Sequence, residues 1–127
     1  MNATEAVLNV IQNYANFNGR ARRSEYWWFA LACFAVTVVL ESLGALLGKG
    51  FLAGLLATVG GLFSLAVLVP SLAVTWRRLH DVGRPGTHFF FVLIPLVGGI
   101  LLLVWLLTDS QPGANQYGPN PKENELV

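Results

Sequence analysis

From Phe51 to Trp76 the chain runs 26 residues without one charged side chain. At 1.5 Å per residue, a helix of that length covers about 39 Å, more than the roughly 30 Å hydrocarbon core of a bilayer. It is too long for a soluble core helix and long enough for a tilted membrane span. In lipid, only helices and closed barrels satisfy their backbone groups, and the run lacks the period-two alternation of a barrel strand. A transmembrane helix over 51–76 follows.

Two other stretches repeat the pattern. Tyr26 to Leu47 gives 22 residues interrupted only by Glu41 and a few small polar side chains, and Phe89 to Leu107 gives 19 uncharged residues. The second just reaches across the core if little tilted. With 54% hydrophobic and 12% charged residues, the chain is more apolar than soluble domains, where about a quarter of residues are charged. The expected fold class is an all-α integral membrane protein with three transmembrane helices, preceded by a short amphipathic N-terminal helix.

The layout reads as one membrane domain over 1–127. Residues 1–25 form a cytoplasmic amphipathic helix and a basic turn. Val7, Val10, Ile11 and Tyr14 fall at helical spacing, with Glu5 suited to the first turn, and Asn18-Gly19 breaks the helix. Spans over 26–47 and 51–76 are joined by the tight Gly48-Lys49-Gly50 turn, a basic loop fills 77–88, a third span covers 89–107, and 108–127 is an irregular tail. Pro70, Pro95, Gly60-Gly61 and Gly98-Gly99 permit kinks and close helix contact. No cleavable export signal or lipidation motif is expected, so attachment rests on the spans. Cys33 has no partner cysteine and reads as packing.

Arginine placement predicts the orientation. Arg20, Arg22, Arg23, Arg77, Arg78 and Arg84 share one side of a three-span arrangement, opposite Lys49 and Lys122. The positive-inside rule puts the N-terminus and the 77–88 loop in the cytoplasm, with the Lys49 turn and the tail outside. Tyr26, Trp27, Trp28 and Trp76 take the place of interfacial anchors. Glu41, near the outer end of the first span, is expected to pair with Lys49 or to snorkel outward.

Two segments carry candidate chemistry. Gly19-Arg20-Ala21-Arg22-Arg23-Ser24-Glu25 needs only an anchoring role, each arginine contributing about 1 kcal/mol at an anionic leaflet. The loop from Arg77 through His80 and Asp81 to Arg84-Pro85-Gly86 holds more than topology requires. If the second helix runs on through it, Arg77 and Asp81 share a face at i,i+4 and pair, leaving Arg78 and Arg84 for phosphate. Six arginines and no lysine on this side favour shaped recognition or buried pairs over bare charge. A His80 base with Ser24 as nucleophile is the enzymatic alternative, although adjacent residues such as His80 and Asp81 seldom face each other on a helix. His80, His88 and Asp81 lack zinc-site spacing, so neither metal nor cofactor is expected. A net charge of +1 gives no push toward nucleic acid.

The stretches GRARRSEYWWF and RRLHDVGRPG, with the tail residues Gly113 to Pro121 and their YG-x-x-P pattern, resemble a bacterial inner-membrane family catalogued as domain of unknown function 805, DUF805. The resemblance covers nearly the whole chain. Gln116, Asn120 and Thr87 depart from it, standing where members often carry arginine, aspartate and an aromatic residue. It implies a bacterial plasma-membrane location and no established reaction. The resulting expectation is a non-enzymatic module that binds acidic phospholipid headgroups or an anionic partner, through Arg20, Arg22, Arg23, Arg77, Arg78, His80, Asp81 and Arg84. Its partners would be membrane lipids, further copies of itself or another membrane protein. The alternatives are an enzyme acting on a lipid phosphate and a subunit of an oligomeric transporter.

Overall fold

The computed structural model describes residues 1–122. Four α-helices carry the fold: α1 (Ala3–Gln12), α2 (Arg23–Leu47), α3 (Phe51–Asp81) and α4 (Val97–Leu107), with a 3₁₀ segment (Gly86–Leu93) between α3 and α4. Among the described residues there is no strand, only an isolated bridge between Asn115 and Gly118 in the tail.

The short helix α1 begins at Asn2, whose side chain accepts the Glu5 N–H at 2.8 Å, satisfying one of the donors a helix start leaves open. The α2 to α3 turn is tight because Gly48 and Gly50 adopt φ of 70° and 103°, which only glycine takes without strain. Both α2 and α3 are long and apolar enough to cross a membrane. Helix α3, at 31 residues, is about 46 Å long, so its last third projects beyond a 30 Å core. That projection carries Trp76 to Asp81.

The third apolar stretch is not the single helix expected over 89–107. Its chain descends as 3₁₀ turns to Leu93, breaks at Ile94-Pro95-Leu96, where Leu96 has φ of 64°, and returns as the 11-residue α4. Pro95 lacks an N–H and disfavours helical geometry at Ile94. The two legs pack face to face: His88 and Phe91 lie 5.4 and 5.6 Å, ring to ring, from Trp105. Gly98 makes this possible, since a Cβ there would sit 1.6 Å from the Phe91 carbonyl oxygen. The stretch is a hairpin whose ends lie together.

A second correction follows from the hairpin. The tail expected on the side opposite the basic segments packs against them, with Gln111 donating its N–H to the Asp81 carbonyl at 2.9 Å. The core lies at this same end. One cluster joins Val10, Ala21, Phe29 and Val74, and another joins Leu79, Leu102 and Leu106, while Leu46, Phe51 and Leu62 toward the far ends of α2 and α3 are exposed.

Candidate functional site

Asp81 ends α3 fully buried and gathers three chain segments. Its carboxylate accepts Arg20 Nε at 2.9 Å, Arg78 Nη1 at 2.7 Å and the Ser110 hydroxyl at 2.6 Å. Arg20 then spends its remaining donors on backbone carbonyls of Asp81, Gln111, Gly113 and Gly118. A planar guanidinium with five donors suits such a junction in a way an ammonium does not. The side chains of Arg20, Arg78 and Asp81 are at most 1% exposed.

A second pair sits beside the first. Arg77 donates to Glu25 at 2.9 Å and to the Asn16 carbonyl at 3.0 Å, and Asn9 of α1 donates to the same Glu25 oxygen at 2.8 Å. Backbone also joins the segments through Ala21 N–H to the Arg77 carbonyl. The expected local pair, Arg77 with Asp81, is therefore replaced. Arg78 takes Asp81 at i,i+3, and Arg77 turns to α2.

Among the described residues, three buried arginine side chains face two buried carboxylates. The end of α4 offsets the excess cation: Leu106 O accepts from Arg78 at 3.3 Å and from Trp27 at 2.9 Å, and Leu107 O accepts from Arg23 at 3.0 Å. A helix C-terminus leaves its last carbonyls open and carries partial negative charge, so cations stabilise it. Burial pulls the Arg78 guanidinium below its ordinary pKa, and Asp81 pushes it back up.

His80 and Asp81 do not form a dyad. The imidazole Nδ1 lies 2.9 Å from the Gly19 carbonyl, and its ring stacks on Tyr117 at 3.9 Å with an interplanar angle of 2°. Burial pushes the His80 pKa down, so near neutrality the ring is uncharged and its Nδ1–H donates to Gly19. Asn115 donates to the His80 carbonyl at 2.9 Å and completes the tail's attachment.

Arg20, Arg77 and Arg78, expected at the surface, are thus buried against carboxylates, and Arg77 Nη2 and Arg78 Nη2 have no partner among the described residues. Arg84 is exposed but lies over the Trp105 ring at 4.4 Å, a cation–π contact. Of the aromatic anchors, Tyr26 packs into both core clusters, Trp27 bonds Leu106, and Trp76 is wedged against Phe17, Phe90 and Gly86. Trp28 alone of the four is largely exposed. Asn9, Asn16, Ser110 and Asn115 carry no signal as partners in the sequence, because isolated polar residues have no periodicity that announces them.

Open clefts remain among the described residues. One of about 200 Å³ lies at the start of α2, lined by Met1, Arg22, Arg23, Ser24, Asp109 and Lys122. The Ser24 hydroxyl is buried without a partner among the described residues, and no side chain caps α2. Lys122 pairs with Asp109 at 3.0 Å and holds its carboxyl below the usual carboxylate range. The larger cleft, about 380 Å³, lies between the far halves of α2 and α3 and includes Thr37, Glu41, Gly60 and Ser64. Glu41 makes no pair with Lys49 among the described residues.

This joining of both basic segments to the tail accounts for the three motifs as one unit. A family profile described as "Protein of unknown function (DUF805)" matches residues 14–119, a span that contains both basic segments and most of the tail motif. The chain is a member of the DUF805 family. DUF805 relatives of similar length include the inner membrane protein YhaH of Escherichia coli strain K12, 40% identical over 117 residues that cover 91% of this chain and 94% of the relative. The inner membrane protein YhaI of the same strain is 38% identical over 115 residues, covering 91% and 93%. The uncharacterised protein YiiR of that strain is 29% identical over 142 residues, covering 91% and 92%. No solved structure matches this DUF805 chain. It is an inner membrane protein, as YhaH and YhaI are named, and its two long apolar helices fit membrane spans.

Proposed function

We propose that this DUF805 protein is a non-enzymatic membrane module whose cytoplasmic face holds acidic phospholipid headgroups at the start of α2. In this reading α2 and α3 cross the bilayer, the 86–107 hairpin dips into the inner leaflet and returns, and the N-terminus, the 77–88 loop and the tail all face the cytoplasm. Arginine-rich ends gathered at one boundary support that orientation.

The observation that carries the headgroup reading is the cleft lined by Arg22, Arg23, Ser24 and Lys122, together with Met1 and with Asp109, which pairs with Lys122. It joins cationic side chains, a buried hydroxyl with no partner among the described residues, and a helix start whose N–H groups favour an anion. Trp28, exposed one turn further along α2, suits the headgroup level. Arg20, Arg77 and Arg78 serve this site indirectly, by fixing the segments around it. His80 and Asp81 are each engaged within the fold and do not form an acid–base pair, which favours binding over catalysis.

Native mass spectrometry of the detergent-purified chain tests the proposal. Retained phosphatidylglycerol or cardiolipin should fall severalfold in the Arg23→Gln, Ser24→Ala double variant and stay unchanged in Glu41→Gln. Equal retention in all three proteins removes it.

A further inference from the structure

A proline inside a helix leaves the carbonyl four residues earlier without its N–H partner. Pro70 of α3 does this to Ala66, and the hydroxyl of Tyr14 donates to that carbonyl. Tyr14 follows directly on α1, so one end of α1 is tied to a backbone group within α3. The depth of that tie can be read from helix geometry. A 30 Å core measured from Phe51 ends about 20 residues on, near Ser71, which places Ala66 about 7 Å inside it.

The side chains of α1 fit such a depth. At 100° per residue, the apolar positions Ala6, Val10, Ala3, Val7, Ile11 and Leu8 sweep an arc of about 200°, interrupted only by Thr4. The protein covers one edge of this arc, where Ala6 and Val10 are buried. The rest is open: Leu8 is 51% and Ile11 53% exposed. Glu5, Asn9 and Gln12 share the narrow polar remainder, and Asn9 turns to Glu25. Around Ala66 the outward residues of α3 are equally apolar, with Leu62, Leu65 and Leu68 at least half exposed. The open face of α1 and the lipid-facing band of α3 thus meet at the Tyr14 tie.

We infer that α1 is an interfacial helix, lying in the inner leaflet with Leu8 and Ile11 among the acyl chains and Glu5 and Gln12 toward water. The occupant of its open face is lipid. The helix carries no lysine or arginine, so its attachment comes from apolar burial and the tie to α3, not from attraction to anionic headgroups. This separates it from the headgroup site on α2.

Spin labels test the placement in the full chain, reconstituted in phosphatidylethanolamine and phosphatidylglycerol vesicles with Cys33→Ala as background. Nitroxides on Leu8→Cys and Ile11→Cys should relax faster with oxygen, which concentrates in lipid. Those on Glu5→Cys and Gln12→Cys should respond to a water-soluble nickel chelate. A nickel response at Ile11 equal to that at Gln12 overturns the inference. So does exclusion of both reagents from Leu8 and Ile11, which would mean that protein covers the face. Because all four sites are exposed, the variants retain the fold, and a normal gel-filtration profile checks it.

Discussion

Replacing Asp81 by asparagine tests the central junction with almost no change in shape. The carboxylate is fully buried and receives Arg20, Arg78 and Ser110 within 2.6 to 2.9 Å. Asparagine keeps one acceptor but no charge, so both guanidinium groups, each no more than 1% exposed, lose their carboxylate counter-charge in a site water does not reach. Breaking a buried ion pair from one side costs about 3 to 5 kcal/mol, because the orphaned charge stays desolvated. The folded-to-unfolded ratio should therefore fall by about two to four decades, a large share of the stability of a typical domain. Titration with sodium dodecyl sulfate in mixed micelles, followed by tryptophan fluorescence, reads this out. Asp109→Asn is the internal control: its pair with Lys122 has side chains 35% and 53% exposed and should contribute less than about 1 kcal/mol. If Asp81→Asn costs no more than Asp109→Asn, the junction does not hold the three segments together.

The hairpin and His80 give further tests. Gly98→Ala drives a methyl against the Phe91 carbonyl, and backbone cannot yield as a side chain can, so a loss at or above about 3 kcal/mol is expected. Gly99→Ala, with nothing within 4 Å, should be tolerated in the same dodecyl sulfate titration. The folded His80 pKa lies below its ordinary 6.5, so the unfolded chain takes the proton first as pH falls. Its contribution to stability is whole above about pH 6.5 and is lost as pH drops toward the folded value. Unfolding midpoints measured from pH 7.5 down to about 5.5 should decline, and His80→Asn should remove that component of the slope.

Much of the fold was legible because lipid imposes simple rules. Long uncharged runs predicted α2 and α3, and the continuation of α3 through Arg77 to Asp81 was the condition set for local pairing. The residue types were informative too: six arginines and no lysine favoured shaped or buried contacts, and Arg20, Arg77 and Arg78 make them. Partners were not legible. On one helix face Arg77 and Asp81 are plausible neighbours, but Glu25 lies on another helix, 52 residues away. Hydropathy likewise read Phe89 to Leu107 as one span, since a hairpin and a crossing helix share the same apolar composition.

Sequence alone therefore determined that the chain lives in a membrane, that its elements are helices, and that its arginines gather at one end of the fold. Each of these follows from the transfer of side chains and backbone between water and lipid, which depends on residue type and run length. Tertiary structure decided that the third stretch turns back at Pro95, that the tail joins the basic segments, and which arginine meets which carboxylate. Those outcomes depend on directional hydrogen bonds and close packing between residues distant in the chain, and a one-dimensional pattern does not encode direction.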